Sequence, residues 1–227
     1  MSNLLFETEC ALLNKEFKSG LLSYTQSNCQ VTLTDNGYHI YRPPNLTYPD
    51  CGNTVWGGFK LDPLSLSNGL LVKGNTYIIL FDVKGTSSNQ GSIRWDNQMG
   101  WGGGGLTPTP SNVSYSIPPK NFSGEHKVHY KFSINDDIIK TCTSSYSSFV
   151  AGEKYVSYRH FYYGFNYEST GTLGTDIYIT NIRMYDITDN KRVSVNKNGN
   201  VNCNAVSEGF DNCSFGSELC VNEIIET

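Results

Sequence analysis

Four histidines, His39, His126, His129 and His160, are the side chains through which this 227-residue chain would do acid–base or metal chemistry. None stands in an H-E-x-x-H or H-x-H arrangement, and no G-x-S-x-G nucleophile motif occurs. His126 and His129 are three apart in an extended stretch, where successive side chains alternate faces. They therefore point oppositely and do not chelate one ion. His160, among Tyr158, Arg159 and Phe161, reads as a hydrogen-bonded sheet histidine. Glycoside hydrolysis needs two converging carboxylates. Asp136, Asp137, Glu153 and Glu168 all fall between strand segments, where carboxylates are simply solvated. Glu7 and Asp176 offer oxygen donors of the kind calcium takes, but without a spaced ligand loop. A structural calcium is unsupported, no cofactor is expected, and the chain is read as not an enzyme.

The seven cysteines, Cys10, Cys29, Cys51, Cys142, Cys203, Cys213 and Cys220, are odd in number and contain no C-x-x-C. That excludes a zinc ribbon and a thioredoxin-type motif. They are read as reduced, buried thiols serving as small apolar residues, with a Cys203–Cys220 disulfide as the alternative. Gly102 to Gly105 lacks the G-x-x-x-x-G-K-S/T pattern of a phosphate loop. The stretch Gly85 to Pro119 around it reads as one long surface loop, flanked by Trp95 and Trp101.

Aromatic residues carry more information. Tyr155, Tyr158, Phe161, Tyr162, Tyr163, Phe165 and Tyr167 crowd one window, read as a single strand. Alternation leaves rings on both faces, and one face serves the core. Tyr and Trp present an apolar ring with a polar end, which suits stacking on sugars in water. The candidate glycan-binding set is therefore Trp95, Trp101, Tyr158 and Tyr162. Core and interface packing is the competing explanation for the same rings.

The elements that must position these residues are strands. The chain has three alanines against 15 Tyr, 11 Phe and 3 Trp, and aromatics suit a half-buried pleated surface better than a helix. Gln30–Leu33, an Asp35-Asn36-Gly37 turn and Tyr38–Tyr41 predict a hairpin stopped by Pro43-Pro44. Further strands are predicted at Val55–Leu61, at Asn75–Val83 after a Lys73-Gly74-Asn75 turn, and at Asp176–Asp186. Val128, Tyr130, Phe132 and Ile134 alternate inward, with His129, Lys131 and Ser133 outward. Only Glu7–Phe17 has the makings of a short helix. Six or seven such strands without helix-period segments predict an all-β antiparallel sandwich or barrel.

Net charge is −4 with no Lys/Arg run longer than Lys191-Arg192, so nucleic acid is not an expected partner. No apolar stretch reaches 18 residues, so neither is a membrane. Met1–Glu7 lacks a basic and then apolar leader, so no secretory signal is expected. The sequons at Asn45, Asn112, Asn121 and Asn212 are read as chance in an Asn- and Ser-rich chain. After Thr188 the composition changes. Gly199 then Cys203 then Glu208, and Gly216 then Cys220 then Glu226, form a short repeat. Two such hairpins bury little apolar area alone and need a partner. Gly199, Cys203, Gly216 and Cys220 are accordingly the candidate assembly residues.

Asn3-Leu4-Leu5, the strand Gly74–Val83 (GNTYIILFDV) and the closing Thr175–Asp186 (TDIYITNIRMYD) resemble a carbohydrate-binding-module-type jelly roll. Such modules recur in tailed-phage fibre and head-decoration proteins. Enzyme-linked members carry a pair of Asp where this chain has Thr180-Asn181, a departure that removes the expectation of their structural calcium. Lys197–Glu208 and Phe215–Glu226 are similar to short turn repeats in fibre proteins of gut-bacterial phages, the crAss-like phages among them. The resemblance implies a jelly-roll sandwich over 1–188 with a β-hairpin attachment extension over 189–227. It implies a structural virion protein of head-fibre, decoration or tail-fibre type, made in the bacterial cytoplasm. Its expected partners are further copies of itself, with a trimer as the assumed number, other virion proteins and host-surface glycans. A stand-alone carbohydrate-binding module or lectin is the alternative.

Overall fold

The alternating Val, Ile, Tyr, Phe and Thr residues fold as the sequence predicts: in a computed structural model, every regular element among the described residues is a strand. The structure describes residues 3–7, 21–22, 29–35, 37–47, 57–61, 71–97, 99, 109–145, 149–165, 168–188, 193–195 and 201–203. In chain order the strands are β1 (Asn3–Glu7), β2 (Leu21–Leu22), β3 (Gln30–Thr34), β4 (Gly37–Arg42), β5 (Gly57–Leu61), β6 (Thr76–Ser87), β7 (Ser92–Asp96) and β8 (Ser111–Ser116). They continue as β9 (Phe122–Ser133), β10 (Ile139–Thr141), β11 (Lys154–Val156), β12 (His160–Phe165), β13 (Thr175–Asp186), β14 (Val193–Val195) and β15 (Val201–Cys203).

Seven strands form an antiparallel sheet in the order β3-β4-β13-β6-β9-β8, with β1 also on β13; four form a second sheet, β2-β5-β12-β7. The small pairs β10-β11 and β14-β15 stand apart from both. Rings cross the gap between the two large sheets. Tyr38 of β4 stacks on Phe59 of β5 at 5.1 Å, Phe81 of β6 meets Tyr163 of β12 at 5.0 Å, and Trp95 of β7 meets Phe132 of β9 at 4.9 Å. The molecule is an antiparallel β-sandwich with an aromatic core, as composition and alternation predict.

Strand β13 is the spine of the larger sheet. One side pairs with β6 along its length; the other pairs with β4 over Thr175–Thr180 and with β1 over Arg183–Asp186. The register breaks between Thr180 and Arg183, and Asn181 sits there at φ 54°. Strict alternation from Ile177 and Ile179 would turn Asn181 inward and Ile182 outward. The extra residue of the bulge re-phases the strand, so Ile182 and Met184 are buried and Asn181 stays exposed. Asn181 Nδ2 donates to Asp82 Oδ2 at 2.7 Å, tying the bulge to β6.

Among the described residues, four of the five non-glycine residues at positive φ are asparagines: Asn45, Asn112, Asn121 and Asn181. Asn tolerates the left-handed region better than other side chains. Three of these are sequon asparagines, so backbone geometry accounts for residues that the sequence left to chance. Gly37 closes the β3–β4 hairpin, where an added Cβ would overlap the Ile179 carbonyl of β13. The hairpin turn itself falls where Asp35-Asn36-Gly37 predicts it.

Two expectations are corrected. Gly85–Pro119 is not one loop, because β6 runs on to Ser87 and the stretch contains β7 and β8. Its Ser-rich segments lack apolar alternation, yet pairing with β12 and β9 holds them extended. Tyr155–Tyr167 is not one strand either. It divides into β11 and β12 at Ser157-Tyr158-Arg159, where Tyr158 has φ 54°. Ser157 N donates to Ile138 O and Arg159 N to Asp96 O, so the backbone changes partners across the break. The expected short helix lies, past Glu7, outside the described residues, and Glu7 itself ends β1.

Candidate functional site

The rings chosen from sequence for a glycan platform are enclosed. Trp95 is 2% exposed, Tyr158 1% and Tyr162 4%. Trp95 lies against Phe132, Tyr158 and Phe161, and the left-handed turn at Tyr158 directs that ring into the same core. Tyr162 is on the opposite face of β12 from Phe161 and Tyr163. It donates its hydroxyl to Asp96 Oδ2 at 3.1 Å, with the Arg94 guanidinium 4.7 Å over its ring. A sugar stacks only on an open ring face, and these three present none. Trp101 lies outside the described residues, as do Gly199, Gly216 and Cys220; Cys203 ends β15.

The open aromatic surface is elsewhere, on the outer face of the larger sheet. Tyr38 and Ile40 of β4 and Ile177 and Ile179 of β13 point into the core, so the residues between them point out. His39 and Tyr178 are directly opposed across β4 and β13, and their rings stack at 4.3 Å with 10° between planes. His39 Nε2 lies 2.8 Å from Asp176 Oδ1, which fixes the imidazole along its stacking plane. Tyr41, two residues along β4, is tilted 6.4 Å from His39. Tyr178 is 48% exposed, while His39 and Tyr41 are half-buried.

Strand register extends this cluster into a shelf. Thr32 opposes His39, Gln30 opposes Tyr41, Lys84 opposes Tyr178 and Thr86 opposes Asp176. Directly paired residues share a face, so rings, hydroxyls, an amide and a carboxylate lie on one surface. Its width from β3 to β6 is about 14 Å at the usual strand spacing. Lys84 donates to Glu125 Oε1 of β9 at 2.7 Å, which raises its pKa and closes the shelf with an ion pair.

The same face changes character toward β9 and β8. Ile78 and Leu80 of β6 point away from the core and are nevertheless buried. His129, opposite Leu80, is neutral at ordinary pH: burial, then the His126 and Lys131 charges, push its pKa down to about 4. His126 and His129 do lie on opposite faces of β9, His126 bonding Ser116 Oγ at 3.0 Å and packing edge-on to Phe122. Among the described residues no group of three His, Cys, Asp or Glu is placed to hold a metal.

The carboxylates weighed for catalysis stand in irregular segments and are individually engaged. Asp136 pairs with Lys140, Asp137 with Lys73 and Glu168 with Lys120, and Glu153 Oε2 accepts from Val150 N. Cys29 and Cys142 are buried free thiols, as expected, and burial raises the Cys29 pKa to about 11. His39 and Tyr178 were legible as outward residues, from Tyr38/Ile40 and Ile177/Ile179, but nothing local in sequence joins them. No family model, curated protein or solved structure matches the chain.

Proposed function

We propose that the chain is a non-enzymatic structural and adhesive protein of a tailed-phage virion, of head-fibre, decoration or tail-fibre type. In this reading a jelly-roll sandwich over 1–188 carries a hairpin attachment extension over 189–227, and copies assemble as a homo-oligomer. Residue patterns in Gly74–Val83, Thr175–Asp186 and the C-terminal repeat support the virion assignment. The adhesive role rests on one observation: the exposed Tyr178–His39 stack, braced by Asp176 and ringed by Thr32, Gln30 and Thr86. Aromatic faces pack on the apolar C–H faces of pyranose rings, and the surrounding acceptors and hydroxyls bond sugar hydroxyls. A shelf on paired strands is held more rigidly than one on loops.

The test is a glycan array followed by calorimetry on the best ligand. Tyr178→Ala and Asp176→Asn are expected to abolish binding of a neutral host-surface oligosaccharide while the melting temperature holds. Binding that survives both substitutions removes the shelf from the reading. Mass spectrometry of purified virions tests the structural assignment separately, because a stand-alone module would be missing from the particle.

A further inference from the structure

Strand β8 is a bare edge among the described residues. It ends the seven-stranded sheet with β9 on one side, and four of its six residues are exposed. The opposite end, β3, is different, because it lies against β2 and β5 of the facing sheet. Natural edge strands are usually guarded by a Lys, an inward charge, a proline or a bulge. Ser111-Asn112-Val113-Ser114-Tyr115-Ser116 has no charge and no proline, and its register shift between Ser111 and Ser114, with Asn112 at φ 50°, guards only its first half. Beyond that shift, Ser114–Ser116 is regular and pairs with Lys131, Tyr130 and His129. Tyr115 stands 58% exposed there, its ring 6.4 Å from that of Tyr130.

We infer that β8 is the docking edge for a second copy of this chain, β8 against β8, antiparallel, with Tyr115 at the two-fold axis. The strand is self-complementary in that arrangement. Tyr115 faces Tyr115, and Ser114 and Ser116 of one copy face Ser116 and Ser114 of the other. The strand carries no charge, so the two-fold brings no like charges together. A charged partner strand would gain nothing from this edge, whereas an identical one pairs hydroxyl with hydroxyl and ring with ring. The product is a continuous fourteen-stranded sheet made of two seven-stranded ones. An edge this short buries less than a standard interface, so a dissociation constant of about micromolar order is expected.

The two-fold is perpendicular to the sheet at the seam, and the twist of about 20–25° per strand turns the outer faces apart on either side of it. If the adhesion reading above holds, the two Tyr178 rings lie seven strand spacings apart, about 34 Å along the sheet, and face different directions. The pairing itself stands independently of that reading.

Sedimentation of the full chain under reducing conditions, across roughly a hundredfold concentration range, tests the pairing. The expected result is a reversible dimer, with amide exchange at 113–116 slowing as concentration rises. Ser114→Pro removes a backbone N–H from the edge strand, and Tyr115→Lys places two like charges on the axis. Each should leave a monomer, while Tyr115→Phe still dimerises. If Ser114→Pro misfolds, the exposed Tyr115→Lys variant decides the matter. A wild-type monomer throughout the range, association that survives Tyr115→Lys, or unchanged exchange at 113–116 overturns the inference. Glycan binding that persists in the Tyr115→Lys monomer separates failure of the edge from failure of the shelf.

Discussion

His39 and Tyr178 stack at 4.3 Å as a direct cross-strand pair on the outside of the sandwich, while Ile40 and Ile177, one residue inward on the same strands, oppose each other in its core. Two neighbouring residue pairs thus do different work because a strand alternates faces. The inner pair holds the sheets together; the outer one is left at the surface.

This division sets a stability contrast. Trp95→Ala opens a void among Phe132, Tyr158 and Phe161 and should cost about 3–5 kcal/mol in urea unfolding. Tyr178→Ala loses one exposed cross-strand contact and should cost no more than about 1 kcal/mol. Equal losses would contradict the placement of the two rings.

The bulge on β13 depends on a left-handed residue. Asn181→Gly keeps that conformation and forfeits the exposed bond to Asp82, so its unfolding free energy should change by about 1 kcal/mol or less. Asn181→Val should lose about 1–3 kcal/mol, because a β-branched residue is strained at this φ. Chemical denaturation of the two variants side by side makes the comparison.

Acid should destabilise the fold through His129. Its folded pKa of about 4 lies below the unfolded 6.5, so the unfolded chain takes up the proton first as pH falls. The stabilisation is complete above pH 6.5 and is lost progressively as pH falls through 4, amounting to about 3 kcal/mol in all. His126, also lowered by burial, adds to the same slope. His129→Gln should flatten most of the stability-versus-pH curve in this window; an unchanged curve would place the acid sensitivity elsewhere.

Cys29 should be inert in the native state. With its thiol raised to about 11 by burial, almost no thiolate exists at mildly alkaline pH. Iodoacetamide labelling followed by peptide mapping should find Cys29 and the buried Cys142 unmodified until denaturant is added. Rapid native labelling of Cys29 would show that its site opens.

Sequence alone determined the class of fold and much of its detail. Few alanines and many aromatics called for sheets, Asp35-Asn36-Gly37 placed a hairpin, and the Val128–Ile134 alternation gave the inward face of β9. These are local signals, because side-chain period and turn chemistry act over a few residues. Tertiary structure decided which aromatics remain free. The crowding at Tyr155–Tyr167 suggested surplus rings, but a left-handed turn buries Tyr158 and an Asp96 acceptor takes up Tyr162. The exposed pair instead joins two strands distant in the chain, His39 from β4 and Tyr178 from β13. Their meeting depends on long-range strand order, which no local periodicity encodes.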